Sequence, residues 1–73
     1  MQDKIYLIFE SIHHVMAVET FLKENSIEFE LVPIPTSFTS ACGISILISE
    51  EHFNNIQNFP KKHKYTIYKE KHG

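Results

Sequence analysis

Ile27-Glu28-Phe29-Glu30-Leu31-Val32 and Ile44-Ser45-Ile46-Leu47-Ile48 are the two runs whose reading decides the fold. In the first, Ile27, Phe29 and Leu31 alternate strictly with Glu28 and Glu30, the period-two pattern of an edge strand with one wet face. In the second, Ile44, Ile46 and Ile48 alternate with Ser45 and Leu47, which predicts another strand. Pro33 and Pro35 end the first run, and only the loop from Pro33 to Gly43 separates it from the second. Two strands therefore follow one another directly in the middle of the chain.

Toward the N-terminus, Lys4-Ile5-Tyr6-Leu7-Ile8-Phe9 is apolar at both parities, the mark of a central strand. Ser11 then predicts an N-cap. Val15, Val18, Phe21 and Leu22 converge on one face of a helix that Asn25-Ser26 ends, with Asn25 the residue expected in the left-handed terminal position. Toward the C-terminus, Ser49 predicts the cap of a second helix, with Glu50 and Glu51 in its first turn, Phe53 and Ile56 as its buried pair and Phe59-Pro60 as its end. Lys64-Tyr65-Thr66-Ile67-Tyr68 reads as a fourth strand followed by a frayed, lysine-rich end. Strand, helix, strand, strand, helix, strand is the ferredoxin-like βαββαβ order, an α+β fold with two helices on one face of a four-stranded antiparallel sheet. Right-handed crossovers set the strand order 4-1-3-2, with the first and third strands central.

The 73 residues make one small domain, and a chain of that length buries only about 60% of the surface its unfolded form exposes. Chemistry is therefore expected on a surface edge or at an interface rather than in a deep pocket. An apolar content of 42% and a charged content of 22% are those of a folded globular chain. Seven lysines, no arginine and nine acidic residues give a net charge of −2, which excludes the basic footprint of a nucleic-acid binder. Neither a membrane span nor a basic-then-apolar leader is read. A single cysteine fits a reducing compartment, so the cytoplasm is the expected location.

That cysteine, Cys42, ends the Pro33 to Gly43 loop, which also carries the hydroxyls of Thr36, Ser37, Thr39 and Ser40. By the topology, the loop reaches the end of the sheet where the first helix begins, setting Cys42 beside Ser11 to His14. A thiol acts as a nucleophile when its pKa falls below the free value of about 8.5, and a helix N-terminus or a protonated histidine lowers it. His13 and His14 stand in that first turn as candidate acid/base or orienting partners. Ser11, Thr39, Ser40 and the Gly43 backbone are candidate hydrogen-bond donors to a sulfur anion. Lys61, Lys62 and His63 reach the same end. A lone cysteine is more often a small buried hydrophobe, and paired surface histidines are commonly just solvated. No C-x-x-C or H-x-x-x-H spacing supports a metal site, no phosphate loop is present, and no cofactor is expected.

Phe9-Glu10-Ser11-Ile12-His13-His14-Val15-Met16-Ala17-Val18-Glu19, Leu22-Lys23, Pro33-Ile34-Pro35 and Ser40-Ala41-Cys42-Gly43 resemble the selenium/sulfur carrier protein-like family of small bacterial proteins, over nearly the whole chain. The resemblance implies that Cys42 is the family's cysteine, His13 its helix-start histidine and Gly43 the following glycine. It further implies a carrier that holds sulfur or selenium as a persulfide or selenosulfide. Thr36 stands where a basic residue is expected, and Ser26 where a glycine is expected. The reading that follows is a carrier working between a protein donor and a protein acceptor rather than a turnover enzyme. The alternative is a binding or regulatory module using the open sheet face or loop 33–43, with Cys42 structural. Tyr6, Ile8, Leu47 and Tyr68 are expected on the sheet face that the helices leave open, where they would hold a homodimer.

Overall fold

The computed structural model describes residues 3–36, 43–57, 59 and 64–69. Its elements run β1 Lys4–Phe9, α1 Ile12–Glu24, β2 Glu30–Pro33, β3 Ile44–Ser49, α2 Glu50–Asn54 and β4 Tyr65–Tyr68. β1 and β3 are adjacent and antiparallel at the centre, from Lys4↔Ser49 to Ile8↔Ser45. β4 pairs with the other side of β1, and β2 pairs with β3 from Glu30↔Leu47 to Pro33↔Ile44. The order β2-β3-β1-β4 is the expected 4-1-3-2 read from the opposite edge. The chain is thus α+β, with one four-stranded antiparallel sheet and two helices.

Alternate residues of the central strands supply the core. Ile5, Leu7 and Phe9 of β1 and Ile46 and Ile48 of β3 meet Val15, Val18 and Leu22 of α1 in one buried cluster, and Phe53 of α2 packs against it. Both helices therefore serve the same sheet face. Each aliphatic or aromatic side chain so buried stabilises the fold by about 1.5–3 kcal/mol. The β4 side of this layer is aromatic. Phe59 lies edge-on to Phe21, Phe53 and Tyr65, and Tyr65 meets Phe53 and Phe9, at centroid separations between 5.1 and 6.0 Å. Edge-to-face rings at these separations add to simple area burial.

Several expected boundaries move, each for a local reason. β2 begins at Glu30 rather than Ile27, because Ile27 donates its N–H back to Leu22 of the helix and Ser26 donates to Lys23. These two bonds form a Schellman cap. Its left-handed residue is Ser26, at φ 57°, and not Asn25, which keeps φ −99° and donates its side-chain Nδ2 to Phe21. Ile27 and Phe29 pack against the core from outside the ladder. Leu31, expected on their buried face, is 46% exposed: its strand is the edge, beyond the central pair that α1 covers. Pro33 is the last residue of β2 rather than its terminator. Because the Ile34 N–H points into the sheet at Gly43, the alternation of the ladder turns the nitrogen of Pro33 outward, where its missing N–H costs no bond.

α2 stops at Asn54 instead of Phe59. The N–H of Asn55 is shared between Glu51 and His52, and Ile56 bonds only three residues back to Phe53, a tightening that ends a helix. Ser49 does cap α2, its hydroxyl accepting from the His52 N–H at 3.0 Å. On the opposite sheet face, Tyr6, Leu47 and Tyr68 are half-buried as a group, but Ile8 is only 6% exposed and Ser45 fully covered. Ile8 is therefore not part of an open surface. Ser45 Oγ donates to the Val32 carbonyl at 3.3 Å, which satisfies its burial. Of the end expected to fray, Lys69 bonds to Glu50 and Asp3, and residues 70–73 lie outside the described residues.

Candidate functional site

The β1–β3 ladder ends at Ile8↔Ser45. Ser11 is three residues past Ile8 and Gly43 two residues before Ser45, so the start of α1 and the end of the loop entering β3 meet the same end of the sheet. The Ile34 N–H donates to the Gly43 carbonyl at 3.2 Å, carrying the β2–β3 pairing one step beyond Pro33↔Ile44. Gly43 is exposed at φ +75°, and among the described residues no atom beyond its chain neighbours lies within 4 Å of where a Cβ would stand. Glycine is required there by backbone conformation and not by crowding: a left-handed L residue is strained by about 1–2 kcal/mol. Cys42 is joined directly to it. Cys42, Thr39 and Ser40 lie outside the described residues, as do Lys61, Lys62 and His63.

Ser11 has the extended backbone of an N-cap, but its hydroxyl makes no capping bond. Its carbonyl accepts instead, from His14 at 3.2 Å and Val15 at 3.4 Å. The N–H groups of Ile12 and His13 precede the first intrahelical bond and carry the positive pole of α1. The first turn holds no acidic residue to neutralise it. His13 is exposed and His14 half-buried. Helical period places His13 opposite the Val15, Val18 and Leu22 stripe, and His14 on the flank of Phe21, which looks to Phe59 and β4. The opposite flank, on the β2 side, carries Ile12 and Met16, both exposed. Ile44 and Leu31, on the same sheet face as the helices, are exposed beside it.

A family model with the description Putative Se/S carrier protein-like matches residues 4–69. The chain belongs to this family. No curated protein and no solved structure matches it. The family match spans every element of the fold, including the α1 start and Gly43. Among the described residues, no three of His, Cys, Asp and Glu are grouped to hold a metal ion, and no helix is long and apolar enough to cross a membrane.

One polar residue escaped the reading of the sequence. His52 in α2 is half-buried, and its Nδ1 is buried without a hydrogen-bond partner among the described residues. Nothing in periodicity or spacing marks it, because it follows two acids in a helix start and resembles any surface residue of a first turn.

Proposed function

We propose that this member of the Se/S carrier-like family is a ferredoxin-like carrier that accepts a sulfane sulfur or selenium atom on Cys42 and delivers it to a partner protein. The observation that carries the proposal is the position of Gly43. This exposed left-handed residue is fused to Cys42 at the sheet end where α1 begins with no acidic residue in its first turn. A thiolate next to such a pole is favoured over one in water. His13 and His14 contribute positive charge when protonated, and Ser11, Thr39, Ser40 and the Gly43 backbone offer donors to the sulfur anion.

The Cys42 thiolate attacks the outer sulfur of the donor's persulfide. The donor's S–S bond breaks as the new one forms, the donor leaves as a thiolate, and Cys42 holds the persulfide. Attack by an acceptor nucleophile on the terminal sulfur returns the Cys42 thiolate, so no external oxidant and no cofactor enters. The exposed side chains of Ile12, Met16, Leu31 and Ile44 flank this end as an apolar docking surface for donor and acceptor. Tyr6, Leu47 and Tyr68 on the other sheet face pair two copies of the chain. A single cysteine suits work in a reducing cytoplasm.

The test is incubation of the protein with a cysteine desulfurase and L-cysteine, followed by intact mass spectrometry. Gain of one sulfur atom, reversed by dithiothreitol and absent in Cys42→Ser, is expected. A thiol that alkylates only after unfolding, or never gains sulfur, refutes the proposal.

A further inference from the structure

We draw no further inference here: the strongest candidate, the exposed apolar patch that Ile12 and Met16 of α1 form beside Leu31 of β2 and Ile44 of β3, belongs to the docking surface already proposed, and nothing in the structure shows what covers it.

Discussion

The backbone N–H of Ile27 donates to the carbonyl of Leu22 across 2.9 Å. That one bond ends α1, withdraws Ile27 from the strand its alternation predicts, and leaves the ladder to start at Glu30. It also forces Ser26 to φ 57°, where a side chain is strained.

Ser26→Gly should therefore stabilise the protein by about 0.5–1 kcal/mol, since glycine reaches the left-handed region without a steric cost. A β-branched residue should act oppositely, with Ser26→Val losing about 1–2 kcal/mol. Urea denaturation with an unchanged slope would establish both.

On the carrier reading proposed above, the alkylation rate of Cys42 should reach its plateau at a lower pH than that of an ordinary thiol. His13→Ala should raise the apparent thiol pKa if the exposed imidazole supplies charge. His14→Ala should do so if the half-buried one supplies it. Iodoacetamide rates against pH on the three proteins would assign the role, and identical profiles would dismiss both histidines.

Tyr6, Leu47 and Tyr68 form one row of a single sheet face, linked by the Tyr6↔Leu47 and Tyr6↔Tyr68 pairs, with the two tyrosine rings 5.8 Å apart. Sedimentation of the wild-type chain should show a concentration-dependent dimer. Leu47→Lys should give a monomer at every concentration with unchanged circular dichroism. A monomeric wild type would remove the dimer.

Lys69 Nζ lies 3.1 Å from Glu50 Oε1 and 3.4 Å from Asp3 Oδ2. The hydrogen bond to Glu50, then that to Asp3, holds its pKa above the ordinary lysine range. A raised folded pKa contributes stability that is complete below the unfolded value of about 10.4 and is lost as pH rises through the higher folded value. Lys69→Gln should lower the Tm slightly at neutral pH and low salt. The difference should shrink in high salt and vanish in strong alkali, because the group is exposed and screened. Thermal melts across that pH range would show it.

β1 was legible because it is apolar at both parities, β3 because its isoleucines alternate, β4 because Tyr65-Thr66-Ile67-Tyr68 is made of strand formers, and α1 because Val15, Val18 and Leu22 repeat at helical spacing. Strand order followed from connectivity alone. The start of β2 was not legible: Ile27 fits the strand alternation and the cap of α1 equally well, and the hydrogen bond to Leu22 decides between them. The end of α2 was hidden for a similar reason, since Phe53 and Ile56 keep helical spacing while the bonding at Asn55 tightens. At the candidate site, the sheet end shared by the start of α1 and Gly43 could be read from topology, whereas the different exposures of His13 and His14 depend on how α1 rotates over the sheet. His52 became visible only through the burial of its Nδ1, which no spacing in the sequence marks.

The outward-facing nitrogen of Pro33 has a consequence for the molecule among its own copies. A four-residue edge strand with Leu31 uncovered is a natural seed for cross-β growth, since a second chain could add to its rim bond by bond. At the position where that incoming strand would need a donor, Pro33 has none. Pro33 thus withholds a donor at one point of a rim that already carries the exposed charge of Glu30, and the two together oppose fibril growth along this edge.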